Sequence, residues 1–413
     1  MLGYVRKTGF YILNIALGGA TSLLVIPIVI TVVGPDSWGR MAVAQAIGAV
    51  YAVLVGFGWG IVGPAQVAGM PRELRGQYLR DSLVSRLILF VCTLPLYIVT
   101  VLLIVGVQPD ITAYLVAGIT MLSMAVGSGW FFIGESLPAK LVLWEAVPRT
   151  LGAVVAVTTL WFSHSLLLYA VIQLVAVALS IVLTSRDLIR RYVEGEFNRS
   201  IRDGFRRLSG SYAAMVTAGT ATLYVNAPLI IISTIIPGVT PIYAAAEKIQ
   251  RFALMCMTPL TQIIQGYIPS ASDWKNQRSR IRRSVVLTTI VALAFGLFLA
   301  LALPWIALVL TAGKISVPFT LSVPMGISSL VIIISGVTGL AALVSLGRER
   351  AVAVSTVIGA AVGLPLTIVM AFTVGMTGAA WAIAVSELVV LGYQVVVLRS
   401  AIRQRSLDVE DQS

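Results

Sequence analysis

Twelve apolar stretches, each long enough to cross a bilayer, fill this chain and leave little else to fold. A hydrocarbon core about 30 Å thick takes about 20 apolar residues in a helix. The pattern predicts spans near 10–33, 41–63, 84–107, 111–133, 149–163, 166–184, 211–236, 242–268, 285–311, 320–346, 352–374 and 377–398. With the loops numbered alternately, 25 of the 29 Lys and Arg residues fall on one side. Arg40 and Lys314 fall on the other, and Lys248 and Arg251 lie inside a span. Cytoplasmic loops carry the basic excess, so both termini are expected inside. The predicted fold class is an all-α polytopic membrane protein with 12 transmembrane helices.

Composition agrees: hydrophobic residues make up 58% and charged residues 11%, against about 25% charged in soluble domains. A net charge of +12 would suggest nucleic acid as a partner of a soluble chain, but here the loop asymmetry accounts for it. The first apolar run, with Arg6 and Lys7 ahead of it, continues unbroken from Phe10 to Val33. That is too long for a signal-peptide core, so it is expected to be retained as a span. Cys92 and Cys256 both fall inside spans, which suggests packing rather than a disulfide framework.

The organisation is two halves. Residues 185–210 are the longest hydrophilic stretch, with six spans on each side. Leu188, Ile189, Val193, Phe197, Ile201 and Phe205 recur there at spacings near three to four, predicting an amphipathic helix on the cytoplasmic surface. The expected domains are an N-terminal six-helix bundle over 1–190, a linker over 191–210, and a C-terminal bundle over 211–413 with a short tail. An ungapped offset of 203 residues lays Gly34 on Pro237, Ala42 on Ala245, Gln45 on Lys248 and Gly63 on Gly266. Two pseudo-symmetric six-helix bundles repeated in parallel are the pattern of transporters whose site lies at the repeat interface.

The strongest local signal is the eighth span, 242–269. At about 100° per residue, Tyr243, Glu247, Lys248, Arg251, Thr258, Gln262 and Gln265 share one arc. A charge facing lipid at mid-bilayer costs at least about 2.5–3.5 kcal/mol, so this stripe is expected to face protein or water. Glu247 and Arg251, four apart, could form an internal ion pair. Lys248 would then leave the stretch net positive, which favours an aqueous lumen. Milder stripes run along the seventh span (Tyr212, Gly219, Thr222, Asn226, Ser233) and the first (Lys7, Asn14, Gly18, Thr21). Either alone reads as helix contact; the three together read as a central polar cleft. Glu387 and Gln394 share a face of the last span, and Glu387 is a candidate cation or proton site or a buried structural hydrogen bond. Pro27, Pro228 and Pro259 lie where kinks could open and close a cleft.

These residues resemble a family. The opening LLVIPIVITVVGPDSWGRMAVAQAIGAVYAVLVGFGWGIVGPAQVA is similar to the start of oligosaccharide flippases of the polysaccharide-transport group (O-antigen flippase-like). Those belong to the multidrug/oligosaccharidyl-lipid/polysaccharide exporter (MOP) superfamily. WFFIGESLPAK (130–140), YAAAEKIQR (243–251) and GMTGAAWAIAVSE (375–387) resemble further family segments, although in the first a Glu directly follows the Gly. The resemblance implies a V-shaped, MATE-like pair of bundles around a cationic cavity. It also implies a flippase that moves polyprenyl-pyrophosphate-linked oligosaccharide across a bacterial cytoplasmic membrane for surface polysaccharide synthesis. Lys248 and Arg251 are the candidate diphosphate ligands, with Glu247, Tyr243, Gln45, Asn14, Asn226 and Gln262 lining the cavity. Arg40, Arg86 and Arg149 are snorkelling or topology residues, or else a path of cations for the diphosphate. Expected partners are the lipid-linked glycan, membrane lipids and other polysaccharide-assembly proteins; no cofactor, metal or nucleic acid is expected.

Three rivals remain to be weighed. A drug or cation antiporter of the same superfamily would use a membrane carboxylate, Glu387 or Glu247. A membrane polymerase or glycosyltransferase would need catalytic groups in sizeable outward loops or around a histidine. The outward loops are short, and the single histidine, His164, sits in a WFSHS turn, so no enzyme is expected. A major-facilitator transporter would carry a basic GxxxDRxGRR-type turn that PAQVAGMPRELRGQYLRDS lacks.

Overall fold

A computed structural model describes residues 9–10, 13, 17–19, 25–192 and 211–410. Helix dominates, and no strand occurs among the described residues. Ten helices there are long and apolar enough to cross a membrane. The two other predicted spans differ for separate reasons. The first lies mostly outside the described residues, and its helical end covers 25–33. The eighth is long enough, 28 residues over Thr240–Tyr267, but Glu247, Lys248, Arg251 and its amides lower its hydropathy.

In the first unit the helices are α1 (Pro35–Gly56), α2 (Trp59–Gly69), α3 (Arg72–Val105), α4 (Ile111–Met124), α5 (Gly129–Gly134), α6 (Pro138–Leu141), α7 (Val147–Ser163) and α8 (Leu166–Tyr192). Then come α9 (Tyr212–Ile235), α10 (Thr240–Tyr267), α11 (Trp274–Leu310), α12 (Phe319–Gly336), α13 (Glu349–Val374) and α14 (Met376–Glu410). The chain divides into two compact units, Met1–Asn226 and Ala227–Ser413, with the division inside α9. The predicted linker helix lies outside the described residues from 193 to 210.

Local chemistry explains where the helices stop and bend. Gly34 at φ 85 precedes Pro35, which starts α1 at a position where a missing N–H costs nothing. Phe57 (φ 40) and Gly58 (φ 79) then break the second span before α2 resumes. The fifth span begins earlier than its apolar run suggests. It starts at Pro138 and passes through a π turn, Val142–Ala146, into α7. Pro148 supplies the reason: it has no N–H for the i→i−4 ladder, and its ring crowds the carbonyl four residues back. The third span likewise starts at Arg72, so Arg86 stands within the membrane helix rather than at its end. The basic asymmetry of the loops survives when Arg86 and Arg149 are set aside.

Close packing uses small residues, as expected where lipid offers no hydrophobic drive between helices. Gly48 of α1 lies on Gly118 of α4, so that a Cβ there would come within 2.9 Å of the Gly118 carbonyl carbon. Gly296 of α11 and Gly326 of α12 approach in the same way in the second unit. The core of the first unit gathers Trp59, Tyr78, Leu79, Trp130, Phe131, Phe132 and Leu188. That of the second gathers Ile264, Ile268, Ile281, Val337, Leu343 and Leu398. Leu103, Phe162, Trp305, Val309 and Phe372 point outward, as lipid-facing side chains should. Cys92 and Cys256 are free and exposed, not packed inside.

Candidate functional site

In the second unit the candidate residues converge on α10. Its sequence mixes helix-forming Ala, Glu, Lys and Gln with a proline at each end region, Pro241 near the start and Pro259 inside. Arg251 Nη2 donates to Glu247 Oε1 at 2.6 Å, the expected i,i+4 pair. The polar stripe is not uniform along its length. Tyr243 and Glu247 are buried, Lys248 and Arg251 are half-buried, and Thr258 and Gln262 are exposed. An arc of this width spans both a packed edge and an open edge, and periodicity alone cannot divide it.

Gln250, which the stripe leaves out, fixes the orientation of α10. Its Nε2 lies 3.0 Å from Met325 O, 2.9 Å from Ser328 Oγ and 3.0 Å from Ser329 Oγ of α12. At about 100° per residue Gln250 stands 20° from Tyr243 and 60° from Glu247, so it packs the Tyr243–Glu247 edge of the arc and leaves Lys248, 160° away, on the far edge. The signal of Gln250 in the sequence was its place next to Tyr243 at the edge of the polar arc.

A second polar group sits among α12, α13 and α14. Gln394 Nε2 donates to Ser355 Oγ at 3.0 Å, and its Oε1 accepts from Ser335 Oγ at 3.1 Å. A second π turn, Val337–Leu343, passes beside it, with Gly339 leaving room for the Gln394 amide. Gln394 thus binds three helices together. Glu387, two turns earlier on α14, is also buried.

In the first unit, Gln45 is half-buried amid buried neighbours on α1. Asn226, at the end of this unit, donates to Thr222 O at 2.8 Å. Asn14, like Lys7 and Thr21, lies outside the described residues. The three arginines of the suggested cation path occupy different settings. Arg40 Nη1 donates to Gln108 Oε1 at 3.0 Å, tying the start of α1 to the turn after α3.

Arg86 is almost completely buried, and four of its five N–H donors are engaged. Nε reaches Ser82 O (3.1 Å), Nη1 reaches Ala125 O (3.3 Å) and Gly127 O (2.6 Å), and Nη2 reaches Ser128 Oγ (3.0 Å). Its guanidinium also stands over Trp130, 5.6 Å from the ring centroid. The last three of these acceptors lie in the break between α4 and α5, so Arg86 serves carbonyls that the interrupted ladder releases. It neither ends a helix nor snorkels, and its burial keeps it from a passing anion.

Arg149 lies beside the same break, next to Gly127. Nη1 lies 2.8 Å from Glu145 Oε1, and Nε donates to Ser180 Oγ at 3.3 Å. Glu145 was absent from the sequence candidates, although it has the same spacing to Arg149 as Glu247 has to Arg251.

A further cluster joins the ends of α3, α5 and α8. Glu135 takes Arg75 Nη1 at 3.2 Å and the Tyr192 hydroxyl. Arg72 stacks over Tyr192 at 5.7 Å, and Asp187 pairs with Lys140 (2.6 Å) and Arg191 (2.9 Å). Burial pushes the Glu135 carboxyl above the usual range, while Arg75, Arg191 and Arg72 pull it back. No group of three or more potential metal ligands occurs among the described residues.

No family model and no curated protein matches this chain. Solved structures do. The chain is similar to a multidrug resistance MATE family transporter of the MOP superfamily in an inward-facing conformation, with TM-score 0.62 and 14% identity over 93% of this chain and 95% of that one. It is similar to the lipid II flippase MurJ, inward closed, with TM-score 0.63 and 10% identity over 98% and 90%. A eukaryotic MATE transporter matches with TM-score 0.57 and 14% identity over 97% and 98%. Over nearly its whole length, this polytopic membrane chain has the fold of the MOP-superfamily transporters.

Proposed function

We propose that the protein is a flippase, a transporter and not an enzyme, that moves polyprenyl-diphosphate-linked oligosaccharide across the bacterial cytoplasmic membrane by alternating access. Both termini are cytoplasmic, and the bundles of 1–190 and 211–413 are joined by the 191–210 linker. The observation that carries this is the half-buried Lys248–Arg251 face of α10, net positive beside Glu247 inside a membrane fold. A diphosphate headgroup carries charge and its sugars carry many hydroxyls, so neither crosses hydrocarbon unaided. Lysine and arginine answer the phosphates, and Gln45, Asn14 and Gln262 answer the hydroxyls, whereas Tyr243 and Asn226, also expected to line the cavity, are buried. The fold shared with a lipid II flippase supports the same class of cargo.

The test is glycan export in cells lacking their own flippase. Lys248→Ala and Arg251→Ala should each abolish export while the protein accumulates normally. Near-normal export by the double variant refutes the role. Buried Glu387 and the MATE-type neighbours favour a second reading, a cation-coupled drug antiporter. That reading requires Glu387→Gln to abolish drug resistance conferred by the protein, with glycan export irrelevant.

A further inference from the structure

Two membrane helices carry the same short device on spans that the internal repeat does not relate. Glu145 and Arg149 pair at 2.8 Å in the fifth span, and Glu247 and Arg251 pair at 2.6 Å in the eighth. Each glutamate stands seven residues after the start of its helical segment, Pro138 or Thr240, which is about 10 Å of helix at 1.5 Å per residue. Loop charge puts Pro138 at the cytoplasmic face and Thr240 at the outer face. In both, the arginine is about 6 Å further into the span than its glutamate, about 16 Å from the start of the helical segment and so near the middle of a core about 30 Å thick.

Neither pair is sealed. The side chains of Arg149 and Glu145 are 25% and 22% exposed, and those of Arg251 and Glu247 are 40% and 10% exposed. In each pair the ion-pair contact runs through one terminal guanidinium nitrogen to one carboxylate oxygen. A guanidinium is a planar fork that suits phosphate with two nitrogens at once. The surroundings of the first pair hold it ready: Ser180 anchors Arg149 through Nε, which leaves the terminal edge for an anion. Gly129 lies against the Glu145 carboxylate, where any side chain would overlap it, and Gly127 borders Arg149.

We propose that Glu145 and Glu247 are resident counter-anions which a diphosphate displaces from Arg149 and Arg251, giving each unit its own diphosphate station within the membrane. The proposal rests on the flippase reading. An empty station keeps its arginine compensated, which lowers the cost of a charge within the membrane. An occupied station holds the phosphate against a neighbouring carboxylate, whose repulsion keeps binding weak enough to reverse. Transport needs that balance between entering and leaving.

The experiment uses the purified full-length protein in nanodiscs of zwitterionic lipid, titrated with inorganic pyrophosphate. Glu145→Gln and Glu247→Gln keep shape and hydrogen bonding but remove the competing charge. Each should tighten pyrophosphate binding by about twofold to fivefold, the scale of a partly exposed ion pair. Arg149→Gln and Arg251→Gln should weaken it. Farnesyl diphosphate should show the same order of affinities, and phosphatidylglycerol added to the discs should not compete; competition would give the stations to bulk lipid headgroups and overturn the proposal. Monodisperse glutamine variants that bind no tighter than wild type also overturn it. If Glu247→Gln misfolds, Glu145→Gln decides alone. Wild-type protein that binds no pyrophosphate overturns both this proposal and the flippase reading. Binding that is lost in the arginine variants but unchanged in the glutamine variants removes only the counter-anion role.

Discussion

Replacing Arg86 should unfasten the break in the fourth span. Three of its hydrogen bonds cross from α3 to that break: Ala125 O at 3.3 Å, Gly127 O at 2.6 Å and Ser128 Oγ at 3.0 Å. Interhelical hydrogen bonds in membranes contribute about 0.6 kcal/mol on average and about 1.7 at most. Acceptors stranded in a buried site add about 1–3 kcal/mol each, so Arg86→Gln, which can still reach one of the three and strands the other two, should cost about 3–5 kcal/mol. For a unit of this size, about 2–4 °C accompany each kcal/mol, so the melting temperature should fall by about 10 °C. The assay is tryptophan-detected melting in detergent, because Trp130 lies under the guanidinium. Arg86→Lys is the decisive companion. A cation path accepts lysine, whereas a carbonyl clamp does not, because one ammonium cannot span three acceptors in two directions. A glutamine variant melting within about 2 °C of wild type, less than about 1 kcal/mol, refutes the clamp.

Other outcomes are equally concrete. Gly118→Val should cost about 2–3 kcal/mol by overpacking, because a Cβ there meets the Ala44 carbonyl and the Tyr97 hydroxyl; detergent melting unchanged from wild type contradicts the close approach. Burial raises the Glu135 carboxyl despite Arg75, Arg191 and Arg72, so its contribution is present below the ordinary glutamate range and lost as pH rises through the raised value. Melting of wild type relative to Glu135→Gln should therefore decline from acid to neutral pH, and a flat difference rules this out. Single cysteines at Asp110 and Gly238 should react with impermeant reagents from outside and one at Gln404 should not; the reverse pattern inverts the topology.

The sequence by itself determined what depends on near neighbours and on the solvent. Apolar length set the helices, because a bilayer leaves every backbone group to be satisfied within its own segment. Gly34 before Pro35 and Gly375 before Met376, both at positive φ, stand where one helix gives way to the next. The Glu247–Arg251 pair was legible because a spacing of four brings side chains together on any helix. The Glu145–Arg149 pair obeys the same rule, but the apolar run starts only at Arg149, which hid the helical turn before it.

Partners distant in sequence were decided by the tertiary structure alone. Arg86 meets residues about forty positions on, in a break that no local pattern announces. Gln250 finds Ser328 and Ser329, Gln394 finds Ser335 and Ser355, and Glu135 finds Arg75 and Tyr192. A polar residue in an apolar helix declares that it needs a partner, since leaving it bare in hydrocarbon is costly. Which partner it takes depends on how the helices cross and rotate against one another, and that is settled by the packing of glycines and aromatic rings across the whole bundle.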